Sequence, residues 1–219
     1  STKETEEAVA RDVRQYYELA LAKNSESDLT AMCEAMMVFG GHAQLFYNAK
    51  TDDLSSDGLD TTQYTSIAPE NLDSISHSGA PIGIVASSQQ VNLDSDVKLR
   101  VFFTLGEGKD WNNYSFSLNY PTGNGMARND TDLTRMTLTR GDETFYMVEF
   151  SVPPAYWNDE YVITVTSEAE AGKVYTVSTS VMSWVKTCIA ANKNANEVAM
   201  ANAMYYYNKA ADVLFKSES

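Results

Sequence analysis

Two stretches decide the reading of this chain: residues 13–47, VRQYYELALAKNSESDLTAMCEAMMVFGGHAQLFY, and residues 181–215, VMSWVKTCIAANKNANEVAMANAMYYYNKAADVLF. They lie on one another without a gap at an offset of 168 positions. Val13, Ala22, Asn24, Ala31, Met32, Ala35, Met36 and Ala43 fall on Val181, Ala190, Asn192, Ala199, Met200, Ala203, Met204 and Ala211. Tyr16 falls on Trp184, Leu21 on Ile189, Leu45 on Val213 and Tyr47 on Phe215, so the apolar exchanges keep one helical face. Each stretch reads as a helical hairpin. A repeat that opens and closes a chain implies that its two copies meet in space, with the middle looped out around a core of its own.

Working outward, residues 3–23 carry Val9, Val13, Tyr16, Tyr17 and Ala20 at helical spacing, and Ser25 to Asp28 fits a capping box. The next helix, about 28–48, has an expected inner stripe of Leu29, Met32, Cys33, Met36, Gly40, Ala43 and Tyr47. Gly40 and Gly41 cost roughly 1 kcal/mol each in helix propensity, and their expected use is to admit another helix at close range. In the second copy, Val181, Trp184, Val185 and Cys188 line one helix. Met200, Ala203, Met204, Tyr207, Ala211 and Leu214 line the other, with Asn194 and Glu197 as its capping signal. Trp184 is expected in the helical core, and the run Tyr205-Tyr206-Tyr207 at an interdomain seam.

Between the copies the period changes. Residues 51–80, rich in Asp, Ser, Thr and Gly, read as a long connection. Asp53, Ser55, Asp57 and Gly58 imitate half a calcium loop, but Tyr64 stands where a bidentate Glu belongs, so a plain loop is the better reading. From 81 to 181, apolar residues alternate. They do so at Val97–Leu105, Tyr114–Tyr120, Tyr146–Val152 and Tyr161–Val165, with weaker strands at 82–93, 133–139 and 173–181. Seven short strands predict an Ig-like antiparallel β-sandwich, with Tyr161 placed as a tyrosine corner. The fold class is therefore α+β. The sandwich is inserted between two helical hairpins that pack as a small four-helix bundle: 1–50 with 182–219 for the bundle, 81–181 for the sandwich.

Two segments carry a family resemblance: Ala35-Met36-Met37-Val38-Phe39-Gly40-Gly41-His42-Ala43-Gln44-Leu45-Phe46-Tyr47-Asn48 followed by Thr51-Asp52-Asp53-Leu54, and Ala203-Met204-Tyr205-Tyr206-Tyr207-Asn208-Lys209-Ala210-Ala211. They resemble a module recurring in secreted and cell-surface multidomain proteins of gut Clostridia and ruminococci. In that module an alanine-rich helix, a β-sandwich and a closing helix follow in this order. Gly41 and His42 depart from its pattern. The resemblance implies an extracellular, secreted or surface-attached setting beside neighbouring domains of a larger protein, and it carries no catalytic signature.

Composition narrows the chemistry. A net charge of −14 over 219 residues repels a phosphate backbone and excludes general nucleic-acid binding. No apolar run of about 18 residues predicts a membrane insertion. There is no Gly-x-Ser-x-Gly elbow and no phosphate loop, and His42 and His77 lack metal-ligand spacing. No catalytic residue, cofactor or metal is therefore expected, and the protein is read as a non-enzyme. Cys33 and Cys188 read as buried thiols or, alternatively, as a disulfide between the hairpins.

Aromatic platforms remain. A sugar ring stacks its C–H face on an exposed indole or phenol while neighbouring Asp or Asn bind its hydroxyls. Trp111, flanked by Asp110 and Asn112 in a turn, and the pair Tyr156-Trp157 after Pro154 are the candidate ligand-binding residues. The competing reading folds Trp111 over the end of the sandwich as a plug and gives Trp157 a capping role, a position the resembling family fills with an aliphatic residue. The leading expectation is a non-catalytic carbohydrate-binding module for a polysaccharide or oligosaccharide, with starch or another α-glucan as one class. The alternative is a structural spacer or adhesion module without a small ligand.

Overall fold

The computed structural model describes residues 13–22, 27–64, 67, 75–93, 96–122, 125–128, 133–141 and 143–216. It is α+β, with four helices and two antiparallel sheets among those residues. The chain divides into two compact units: Ser1–Pro69 with Thr187–Ser219, and Glu70–Lys186.

The first unit is helical. It holds α1 (Val13–Ala22), α2 (Ser27–Tyr47), the end of α3 (Val181–Ala191) and α4 (Ala195–Lys216). The second helices of the two copies pack against each other and run antiparallel. Phe39 stacks on Tyr207 with ring centroids 5.9 Å apart, and Asn196 near the start of α4 donates its Nδ2 proton to the Leu45 carbonyl near the end of α2, at 3.3 Å. On α4 the expected stripe is buried at Met200, Ala203, Met204, Tyr207 and Ala211, with Leu214 half-buried. Alanines alternate with methionines and one tyrosine on this face, so large side chains fill the space between small ones.

On α2 the stripe is corrected. The buried residues are Cys33, Ala35, Met37, Val38 and Gly41, whereas Met36 and Gly40 are half-buried and Tyr47 is exposed. The cause is a second covering. The turns after α2 fold back on it: Ser55 donates its hydroxyl to the Met37 carbonyl at 2.7 Å, and Gln44 clamps the same turns. The Gln44 amide donates to the carbonyls of Lys50 (3.2 Å) and Asp53 (2.9 Å) and accepts from the Ser55 N–H (2.8 Å). Gly40 and Gly41 therefore admit these serines rather than another helix. A Cβ on Gly41 would sit 2.8 Å from the Ser56 Cβ and 3.2 Å from its backbone nitrogen.

The helix ends follow local chemistry. Asn48 and Asn192 take the left-handed conformation past α2 and α3, a role asparagine fills after glycine. Asn194 caps α4, its Oδ1 accepting from the N–H groups of Asn196 (2.9 Å) and Glu197 (3.4 Å). Ser25 of the expected capping box on α2 lies outside the described residues.

The second unit holds the strands. One sheet has the order β1 (Ser76–Gly79), β9 (Val174–Thr179), β8 (Tyr161–Ser167), β4 (Tyr114–Thr122), β5 (Gly125–Arg128). The other has β2 (Ile84–Asn92), β3 (Lys98–Leu105), β7 (Glu143–Ser151), β6 (Thr134–Arg140). Their arrangement is sandwich-like. Rings of one sheet touch rings of the other, Phe103 against Phe116 at 5.4 Å and Phe150 against Tyr161 at 5.2 Å. The alternating residues Leu99, Val101, Phe103, Val148, Phe150, Ile163, Val165 and Val177 form the buried core.

The Tyr161 hydroxyl donates to the Tyr156 carbonyl five residues upstream, at 3.5 Å, and Tyr114 donates to the Ile82 carbonyl at 2.8 Å. Two strands add to the seven expected. β5 is a short hairpin partner of β4, and β1 falls inside the stretch expected as a connection. All four residues of β1 are exposed, so it has no apolar alternation to betray it.

Candidate functional site

The Trp111 turn is built by its neighbours. The Asp110 carboxylate accepts from the Asn112 N–H at 2.9 Å and caps a one-turn 3-10 helix, Trp111–Asn113. That turn points the indole inward. Its ring lies 4.5 Å from Phe116, 4.9 Å from Tyr146 in a near-parallel stack, and 6.0 Å from Phe103. The Arg135 guanidinium covers it at 5.0 Å and donates to the Trp111 carbonyl at 2.8 Å. Trp111 is 7% exposed. The expected exposed platform is thus corrected: the indole plugs the sandwich. An indole carries one of the largest apolar areas of any side chain, and inner-face rings at the sheet end give it more burial than a solvent-facing turn. Asp110 and Asn112 are exposed, but the Asp110 carboxylate already serves the cap.

Trp157 is likewise corrected. It is fully buried, its Nε1 proton given to the Val152 carbonyl at 2.8 Å and its own carbonyl accepting from the Met182 N–H at 3.1 Å. Pro153 and Pro154 set the tight turn that delivers it. Tyr156, on the same turn, is 39% exposed. Of the five candidate residues, Asp110, Asn112 and Tyr156 reach solvent, and neither indole offers a free face.

The cysteines are free and buried, and no disulfide joins them. Burial pushes both thiols up. Cys188 is pushed up to about 12, by burial first and then by the carboxylate of Glu197, which accepts its S–H at 3.7 Å. Burial holds His42 below its ordinary value, so it is neutral at pH 7.

His77 lies on β1 with its Nδ1 3.0 Å from the Ser87 hydroxyl and 3.1 Å from the Tyr175 hydroxyl, its ring parallel to that of Tyr175. A Ser–His contact is the start of a nucleophilic pair. Here, however, both hydroxyls converge on one nitrogen. The arrangement ties strands β1, β2 and β9 together. Among the described residues no three His, Cys, Asp or Glu side chains cluster as metal ligands, and no helix is long and apolar enough to cross a membrane.

The concave feature that sequence reasoning missed lies in the helical unit. A groove of about 680 Å³ runs between the first half of α2 and the last half of α4. Ala31, Ala35 and Ala210 line its apolar part, with Leu21 and Val213 at 52% and 48% exposure. Tyr64 and Tyr206 meet edge to face in it, centroids 5.5 Å apart at 84°. Glu34 anchors the polar side. Its Oε1 accepts from Gln63 Nε2 at 2.8 Å and from the Tyr64 hydroxyl at 3.3 Å, and its Oε2 accepts from the Tyr17 hydroxyl at 3.5 Å. Burial and then the Glu34 charge push the Tyr64 and Tyr17 phenols up, so both stay protonated donors. Lys209, 5.0 Å from the Tyr205 ring, adds an ammonium.

The signal for this site was the tyrosine run. Tyr207 packs on Phe39 while Tyr206 turns to Tyr64, so one helix turn supplies a core ring and a groove ring. A smaller hollow of about 330 Å³, with Phe102, Leu138, Phe145 and Arg140 in its lining, lies on the four-stranded sheet. Compared with known proteins, the sequence matches no family model and no curated protein.

Proposed function

We propose that the chain is a non-catalytic structural and adhesion module of a secreted or surface-attached protein, the second of the two readings above as far as its sandwich is concerned: the sandwich holds no small ligand. The observation that carries it is the fate of the sandwich's indoles. Trp111 and Trp157, at 7% and 0% exposure, are spent on packing. A sandwich that binds sugar by stacking keeps such rings in water. The resemblance of residues 35–54 and 203–211 to modules of surface proteins supports the extracellular setting.

The strand orders support an Ig-like assignment. β2-β3-β7-β6 facing β9-β8-β4-β5 follows the A-B-E-D and G-F-C-C′ orders of an immunoglobulin sandwich, and the Tyr161 bond sits where a tyrosine corner falls. Packing of α2 on both α1 and α4 supports the first hairpin and its pairing with α4, and the 168-residue register alone supports α3 as the fourth member of a bundle of two hairpins.

Affinity electrophoresis in gels of starch, xylan and hydroxyethyl cellulose tests the role given to the indoles. Trp111→Phe and Trp157→Phe are expected to migrate as the wild type does in every gel and to melt at lower temperature. A Trp111→Phe protein with unchanged melting that loses wild-type retardation would overturn the reading.

A further inference from the structure

We propose that the groove between α2 and α4 is a binding site for a neutral saccharide. It lies wholly in the helical unit, so the inference does not depend on the reading of the sandwich.

The argument starts from size. At about 680 Å³ the groove falls within the range of small-molecule sites, roughly 300–1,000 Å³. Its lining is mostly apolar, from alanines, Leu21 and Val213, with two phenol rings fixed at right angles. A purely aliphatic ligand would suit the alanines but would strip water from Glu34, Gln63 and Lys209 without replacing the lost bonds. A strongly charged ligand would meet a carboxylate and an ammonium in one hollow, one of them always of the wrong sign.

What fits is a ligand with apolar faces and a rim of groups that both donate and accept. The groove holds both kinds. An ionised carboxylate has about four lone-pair sites, and Glu34 uses three, on Tyr17, Gln63 and Tyr64. The Gln63 amide gives one bond to Glu34 and carries a carbonyl oxygen besides. The Lys209 ammonium is a donor only.

The tyrosine contacts also hold the Glu34 carboxylate in place before any ligand arrives, which cuts the ordering cost of binding. A pyranose ring has this profile: C–H faces for the Tyr64 and Tyr206 rings, and hydroxyls for Glu34, Gln63 and Lys209.

Isothermal titration with maltohexaose, cellohexaose, xylohexaose, mannohexaose and chitohexaose tests it on the whole chain. At least one of these is expected to bind. Ala31→Trp fills the groove from an exposed position without removing a packed side chain. It is expected to weaken binding about tenfold or more, the equivalent of one lost ring contact of roughly 1.4 kcal/mol.

Gln63→Ala changes an exposed residue and is expected to weaken binding about threefold, the scale of one neutral hydrogen bond. Circular dichroism confirms that each variant is folded, and Trp111→Phe is expected to bind as the wild type does. Absence of heat with all five oligosaccharides overturns the proposal. So does binding that survives both Ala31→Trp and Gln63→Ala. Either result leaves the structural reading of the sandwich intact, whereas binding lost in a folded Trp111→Phe would overturn that reading and this one together.

Discussion

A thiol reacts as its thiolate, and a thiol beside a carboxylate in an apolar site resists forming one. Cys188 donates its proton to Glu197 and is pushed up to about 12, which leaves about one part in ten thousand ionised at pH 8. Cys33 is 3% exposed and shifted the same way by burial. Both act as small core side chains, Cys33 on α2 and Cys188 on α3. Under native conditions at pH 8, Ellman's reagent is expected to label neither, and in denaturant both are expected to react at once. Native labelling as fast as that of free cysteine would show that these thiols are neither buried nor raised. The indoles obey the same rule of burial. What decided Trp111 was not the polar turn that suggested a binding platform but the ring five residues further on, Phe116, and two rings from the other sheet, Tyr146 and Phe103. Residues contacting Trp111 from other strands cannot be read from its own neighbourhood.

Elements with a clear apolar period were legible, and elements without one were not. On α4 the alanine–methionine stripe was legible in the sequence and meets α2, its main partner, although Met200–Met204 are buried in succession. On α2 the period is blurred, since α4 takes one side and the turns around Ser55 take another. β1 has no buried residue and so gave no alternation, while β3 and β8 alternate openly. The groove was hidden for a related reason: Glu34, Tyr64 and Tyr206 come from three separate segments, and only the fold brings them together. The two-sided burial of α2 also sets the sign of a glycine substitution. Alanine in a helix gains up to about 1 kcal/mol over glycine. At Gly41 that gain is opposed by the Ser56 Cβ and backbone, and overpacking of this kind costs about 1–3 kcal/mol. Gly41→Ala is therefore expected to lower stability by about 1 kcal/mol in denaturant titration, by the balance of those two effects. Adding Ser56→Gly removes the opposing Cβ and is expected to recover most of the loss. A more stable Gly41→Ala protein would mean that the turns after α2 do not rest on it.

At the scale of the molecule, connectivity divides the labour between the units. The chain between Glu70 and Lys186 leaves the helical unit and returns to it, so the helical unit is closed by non-covalent packing of α2 on α4. Tension applied at Val13 and Lys216 passes through α1, α2 and α4 for as long as that packing holds. The sandwich carries no load until it fails. Helix–helix packing here rests on side chains, the stack of Phe39 on Tyr207 among them, whereas the sheets are held by backbone ladders such as the six residue pairs joining β8 to β9. In single-molecule pulling from these two residues, the helical unit is therefore expected to open first and at the lower force. The sandwich is expected to follow as a separate event that releases roughly 400 Å of chain, at up to about 3.6 Å per residue over Glu70–Lys186. Substituting Phe39→Ala should lower the force of the first event and leave the second unchanged. A first event with the length of the sandwich would mean that α2 and α4 do not hold the two chain segments together, and the repeat would then have no mechanical meaning.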